Sequence, residues 1–316
     1  MLQSTSHPEI PFRHEALLYA GDDGFLEGTL PFVRAGLEQE EPILVAVGAR
    51  RIGLMRAELG ADARDVAFAD MALIGANPAR IIPAWFDFAG DPARAGKAIR
   101  GIGEPIWASR SAAELVECQR HESLLNLAFA DRPAFRLLCP YDTAALGEDV
   151  LEEACRSHPH LVEDGAERDS PSARDLDAVA EPFDTPLPAA PARAAELAFG
   201  EGTLTPLRDF VARRAAAAGL GPDRTGDFVL AVAELGANTL RHGGGRGVAR
   251  AWEEPGILIA EVADGGRIED PLVGRRRPAA AQIGGWGMWL ANQTCDLVQV
   301  RTFASGSLVR LHMHLG

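Results

Sequence analysis

The chain is poor in cysteine, has no long apolar run and carries no excess of positive charge. Its four cysteines, Cys118, Cys139, Cys155 and Cys295, are too widely spread for a CxxC motif or a disulfide framework, which predicts free cytosolic thiols. No stretch of about 18 apolar residues occurs, so no membrane-spanning segment is expected. The opening MLQSTSHPEIPFRHE lacks the apolar core and cleavage site of a secretory signal, and a cytoplasmic location follows as the expectation. Lys and Arg number 31 against 45 Asp and Glu, a formal charge of −14. Such a field repels phosphate backbones and argues against general nucleic-acid binding. There is no GxxxxGK[ST] loop and no internal repeat.

What is present is enough for two cores. The chain has 316 residues, 47% hydrophobic and 24% charged, longer than a usual single domain. From His14 to about His160, the runs EALLYA, PILVAVG, DVAFA, AIRGIGE and FRLLCPYD read as buried strands. DDGFLEGTLPFVRAGLEQ, PARIIPAWFDFA and SAAELVECQRHESLLNLAFA carry apolar residues at helical spacing between them. Near-continuous apolar strands alternating with helices predict an α/β domain over residues 12–160, a mainly parallel sheet with helices on both faces. Residues 161–199 are rich in Pro, Ala and acidic residues and read as a linker with a short helix near its end.

Residues 200–316 follow a different order: two helices, a strand pair, a loop, a helix and a second strand pair. This predicts an α+β sandwich, one sheet covered by helices. Glu234 and Asn238 fall four apart on the second helix and share a face. A carboxylate and an amide oxygen so placed can position a hydroxyl and hold Mg²⁺, although a solvated helix face explains the pair as well. Asp264 ends an apolar strand before Gly265 and Gly266, either as an Asp-Gly turn or as an acceptor for an exocyclic amine. Gly284, Gly285 and Gly287 open an apolar helix, whose N-terminal amides can bind phosphate.

In order, ELGANTLRHG, VADGG and GGWGMWL resemble the three nucleotide-binding boxes of the GHKL (Bergerat-fold) ATPase superfamily, most closely its anti-sigma-factor serine kinase branch. The resemblance spans residues 204–315 and implies ATP and Mg²⁺ as cofactors. It makes Glu234 the general base toward a partner's hydroxyl and Asn238 the magnesium ligand. Asp264 would hold adenine N6 beside Gly266, and Gly284, Gly285 and Gly287 would face the phosphates. Residues 267–283 would form a lid, in which Arg275, Arg276 and Arg277 neutralise triphosphate charge or make a solvated basic loop. Implied partners are a sigma factor or a STAS-type anti-anti-sigma protein, and a homodimer stays open. No phosphotransfer-histidine helix precedes the boxes, unlike an ordinary sensor histidine kinase. Where related kinases often carry Arg or Lys, this chain has Trp286, which cannot replace a cationic phosphate contact. A nucleotide-binding pseudokinase that sequesters its partner is therefore the alternative to a working serine/threonine kinase.

The N-terminal half, through FRHEALLYAGDDGFLEGTLPFVRAGLEQEEPILVAVG, GEPIWASRSAAELVECQRHESLLNLAF and LLCPYDTAAL, resembles the MEDS sensory domain of methanogen and methylotroph sensors. That implies a fold related to RecA-like domains and a small-molecule effector. His14, Cys118, His121, Glu122 and Cys139 offer thiol, imidazole and carboxylate groups for a metal site or pocket, or serve as core residues. His158 and His160 have weaker claims.

Overall fold

The computed structural model describes residues 12–132, 134–163, 165–279 and 285–315. The chain divides into two compact units. One comprises Met1–Gly75 and Ala84–Ala180, the other Ala76–Pro83 and Glu181–Gly316.

In chain order, the first stretch contributes β1 (Arg13–Tyr19), α1 (Gly21–Glu38), β2 (Ile43–Val47), α2 (Ala49–Leu59), β3 (Val66–Asp70), α3 (Met71–Ile74) and α4 (Ile81–Gly90). β4 (Ile99–Gly103), α5 (Ala112–Ala128), β5 (Phe135–Asp142), α6 (Glu148–Ser157), β6 (His160–Glu163) and β7 (Ala166–Asp169) follow. The strands form one seven-stranded sheet in the order β3-β2-β4-β5-β1-β6-β7. Every neighbouring pair is parallel except β6 and β7, which form an antiparallel hairpin. Parallel neighbours cannot be joined by a tight turn, which is why helices alternate with the strands.

Alternation along each strand sorts side chains between the faces. On β1, Leu17 and Tyr19 join an apolar cluster with Phe25 and Val33 of α1 and Met55 of α2. His14 takes the opposite face, toward α5. On β5, Leu138 belongs to the first face and Cys139 to the second, with Ala16 and Cys139 in register. α5 starts on a capping box: Glu114 N donates to Ser111 Oγ, and Ser111 N donates to the Glu114 carboxylate at 2.8 Å. From Glu117 to Ala128 it is buried almost all round, so its polar residues must find partners inside the protein.

The second unit holds β8 (Ala195–Gly200), α7 (Leu204–Ala217), α8 (Pro222–His242), β9 (Arg246–Glu254), β10 (Ile257–Asp264), α9 (Trp286–Thr294), β11 (Leu297–Phe303) and β12 (Gly306–His314). Its five-stranded sheet, β11-β12-β10-β9-β8, is antiparallel throughout. Leu207, Phe210, Phe228, Val232, Val262 and Leu311 are among the residues packed between helices and sheet. On the polar side of the sheet, Glu261 is buried between Arg250 and Arg310, at 3.3 and 2.7 Å. Arg301 and Arg310 also donate to the carbonyls of Thr185 and Pro188.

The stretch expected to link two domains is thus partly built into them. His160–Glu163 and Ala166–Asp169 pair into the first sheet, and Ala195–Gly200 pairs with β9 where a short helix was expected. The Ala-rich sequence favours a helix, but the open edge of β9 supplies a ladder for its backbone. Among the described residues no helix is long and apolar enough to cross a membrane.

Candidate functional site

α8 begins at Pro222, whose fixed φ suits a first turn, and ends at Gly243. Gly244 and Gly245 follow with φ of 82° and 77°, the left-handed region that glycine adopts without strain. The helix lays Asn238, Thr239 and His242 beside the end of β10. There Asp264 stands opposite Ser307 of β12 in the strand register.

The Asp264 carboxylate is held by three donors. Thr239 Oγ1 donates to Oδ2 at 2.6 Å, and Ser307 Oγ and Gly266 N donate to Oδ1 at 3.1 and 2.9 Å. A carboxylate offers about four acceptor positions, so one remains, on Oδ2. Around it the backbone is too close for side chains. A Cβ on Gly243 would lie 2.4 Å from Asp264 Cγ, and one on Gly266 would lie 2.7 Å from the His242 carbonyl oxygen. Asp264 opens onto a cavity of about 310 Å³ that Asn238, Gly266, Asp270, Gly285 and Met288 also line.

Gly285, which also lines the cavity, precedes α9 as its N-cap and has φ of 82°. The first turn of α9 packs against α8. A Cβ on Gly287 would meet Glu234 Oε2 at 3.0 Å and Asn238 Nδ2 at 3.2 Å, so glycine lets the two helices approach without displacing those side chains. Asn238 Oδ1 accepts a hydrogen bond from Arg241 at 3.1 Å and keeps a second lone pair.

Of the residues singled out in the sequence, Asn238, Asp264, Gly266 and Gly285 therefore share one cavity. Glu234 and Gly287 are in contact distance of each other beside it. Gly284 lies outside the described residues, as does the end of the expected lid, residues 280–283. The three arginines separate: Arg275 is buried, whereas Arg276 and Arg277 are exposed. The Arg277 guanidinium lies 5.8 Å from the Trp289 ring centre. None of the three lines the cavity; Arg267 does. Trp286, the first residue of α9, is 40% exposed. Thr239, Ser307 and Gly243 were not anticipated. Thr239 directly follows Asn238, yet only the register of β10 with β12 reveals Ser307.

In the first unit, His14, Glu122 and Cys139 converge with His158. One donor atom from each lies within 4.8 Å of the others, and all four residues are buried. Burial, reinforced by neighbouring His158, lowers the His14 imidazole to about 4, which keeps it neutral near pH 7. Burial also pushes the Cys139 thiol well up. Cys118 turns elsewhere and donates to the Pro105 carbonyl at 3.4 Å, and His121 is buried outside the group of four.

Two family models match this chain. Residues 13–159 match the MEDS (MEthanogen/methylotroph, DcmR Sensory) domain, and residues 198–313 match the histidine kinase-like ATPase domain. A comparison with curated proteins gives no match. Among solved structures, the crystal structure of the RsbU and RsbW domains of Rv1364c from Mycobacterium tuberculosis is similar at 19% identity and a TM-score of 0.29. That similarity covers 38% of this chain and 32% of the other. The chain joins a domain of the MEDS family, residues 13–159, to a histidine kinase-like ATPase domain, residues 198–313.

Proposed function

We propose that the C-terminal domain binds Mg-ATP in the cavity at Asp264, and that the chain is a cytoplasmic partner-switching regulator of the anti-sigma-factor kinase type. The observation that carries this reading is the Asp264 carboxylate, with three of its acceptor positions filled, lining a cavity that Asn238 and Gly285 before α9 also line. Adenine N6 is a donor that would complete the carboxylate, and a volume of about 310 Å³ is within the range of small-ligand pockets. Gly243 and Gly266 let the end of α8 close onto Asp264, which fixes the carboxylate at the cavity wall. Asn238 would hold the magnesium through its remaining Oδ1 lone pair, and Gly285, Gly287 and the first-turn amides of α9 would receive phosphate oxygens.

Bound Mg-ATP supplies the phosphoryl group. Glu234, beside Gly287, takes the proton from the hydroxyl of a serine or threonine on a STAS-type partner as that oxygen attacks. A sigma factor is the other partner of this reading. Small-molecule binding by the MEDS domain controls access to either partner, and it does so by favouring one of two arrangements.

The exposed Trp286 at the first position of α9 favours a second reading, a nucleotide-dependent adaptor that does not transfer phosphate. An indole donates one neutral hydrogen bond and carries no charge to place on a γ-phosphate. Incubating the full chain with labelled Mg-ATP and a STAS-type protein separates the two. Stable label on the partner's serine or threonine, reduced about 100-fold or more in Glu234→Ala, supports the kinase. Nucleotide binding without transfer supports the adaptor, and absence of nucleotide binding overturns both.

A further inference from the structure

The group of His14, Glu122, Cys139 and His158 is not used by the nucleotide site, and its hydrogen bonding is incomplete in a specific way. Asn126 lies one turn along α5 from Glu122, and its amide orientation is fixed. Nδ2 donates to the carbonyls of Ser157 at 2.7 Å and Ser123 at 3.4 Å, so Oδ1 faces His14 Nδ1 at 3.1 Å. An oxygen there requires Nδ1 to carry the proton, leaving His14 Nε2 with a bare lone pair. His158 is fixed in the same way. Its Nδ1 lies 2.8 Å from the Ala154 carbonyl oxygen, so its Nε2 is also bare.

Both lone pairs point at one carboxylate oxygen. Glu122 Oε2 lies 3.2 Å from His14 Nε2 and 3.3 Å from His158 Nε2. Three acceptors meet, and the weak S–H donor of Cys139 lies 3.3 Å from His14 Nε2. His158 Nε2 and Glu122 Oε1 have no hydrogen-bond partner among the described residues. Inside a protein such an arrangement repels itself unless a proton or a metal ion sits among the lone pairs.

We propose that His14 Nε2, His158 Nε2, Glu122 and Cys139 Sγ bind one Zn²⁺ ion in a closed tetrahedral site inside the MEDS domain. Bond lengths of 2.0–2.3 Å place the corners of a zinc tetrahedron roughly 3.3–3.6 Å apart. Three of the six separations, 3.2, 3.3 and 3.3 Å, are close to that spacing, and all six are within 4.8 Å, so the remaining edges close by a modest side-chain adjustment. The donor set of two imidazoles, one thiolate and one carboxylate suits a borderline-soft ion and not Mg²⁺ or Ca²⁺, which take oxygen ligands. Charge also balances. One thiolate and one carboxylate neutralise a divalent ion, as a fully buried site requires. Binding displaces the thiol proton of Cys139 to solvent and involves no redox change. Asn126 and the Ala154 carbonyl are positioning groups, each fixing the tautomer of one ligand. The ion would fasten β1, β5, α5 and the end of α6 to one another. This inference is independent of the nucleotide reading.

The test uses the untagged full-length chain. After desalting, one zinc per chain is expected by elemental analysis. Stripping with a chelator and reloading with Co²⁺ should give intense tetrahedral d–d bands and a thiolate-to-cobalt charge-transfer band saturating at one equivalent. Cys139→Ser should remove the charge-transfer band, and Cys155→Ser should leave it unchanged. If Cys139→Ser does not fold, X-ray absorption on the wild-type zinc protein decides: one sulfur with three nitrogen or oxygen neighbours supports the site. Failure to hold stoichiometric zinc after reloading, an octahedral cobalt spectrum without charge transfer, or loss of the band in Cys155→Ser overturns it.

Discussion

Two carboxylates, one in each domain, are surrounded in opposite ways. Asp264 is ringed by donors: two hydroxyls and a backbone amide point at it. Glu122 is approached by two imidazole nitrogens whose protons are committed elsewhere. The first carboxylate already accepts three hydrogen bonds, and a fourth partner has to be a ligand that donates. The second is pressed against other lone pairs and selects a ligand that is itself positive. Glu122 is also the more deeply buried of the two, but the direction of each neighbour's hydrogen decides which kind of ligand each carboxylate selects.

The comparison is broken most directly at Asp264. Asp264→Asn turns an amide group toward Thr239, Ser307 or Gly266 N, and removes a charge-assisted bond worth about 1.5–3 kcal/mol. Calorimetric titration should show adenine nucleotide affinity falling about 10- to 150-fold. Unchanged affinity would remove Asp264 from nucleotide binding. On the other carboxylate, Asn126→Leu keeps all four groups near Glu122 and frees the tautomer of His14. Zinc affinity measured by chelator competition should weaken about 10- to 100-fold, with the cobalt spectrum keeping its tetrahedral form. An unaltered affinity would mean that the tautomer of His14 is set by something else.

Steric demands sharpen the contrast further. Gly266→Ala places a methyl 2.7 Å from the His242 carbonyl, and a backbone atom cannot swing away as a side chain can. A loss of about 1–3 kcal/mol in urea unfolding is expected. Gly265→Ala meets nothing closer than 3.8 Å and should change stability by less than about 0.5 kcal/mol. Equal losses at both positions would indicate that the cradle is set by backbone freedom and not by close approach. The smallest effect concerns the thiols. Burial pushes the Cys118 and Cys295 thiols up to about 12, whereas Cys155 is only partly buried. A disulfide reagent at neutral pH should label Cys155 first and reach Cys118 and Cys295 only on unfolding. Equal labelling rates in the native chain would contradict their burial.

Much of the fold was legible because it depends on local periodicity. FRLLCPYD coincides with β5, and the other four runs in the first domain lie within two residues of β1, β2, β3 and β4. β6, β7 and β8 were hidden by composition. Their sequences are charged or Ala-rich, and only the neighbouring strand edges make them strands. Motif residues on one element could be grouped from spacing, as with Glu234 and Asn238. Partners brought in by tertiary register could not. Ser307 sits in a turn-like ASGS, and His158, beside Pro159, has only a weak claim in the sequence. Three consecutive arginines look alike in sequence, yet Arg275 is buried while the next two are solvated, a difference set by how the loop folds back.

The hairpin β6–β7 has a consequence for self-association. A parallel sheet ending on an apolar strand would offer its free backbone groups to any other extended chain. Here the terminal strand is four residues long, AERD, and all four are exposed. Another strand pairing there would find only a short ladder and would have to lie alongside Glu167, Arg168 and Asp169. On that edge, the sheet resists growth into aggregates by its shortness and its charge.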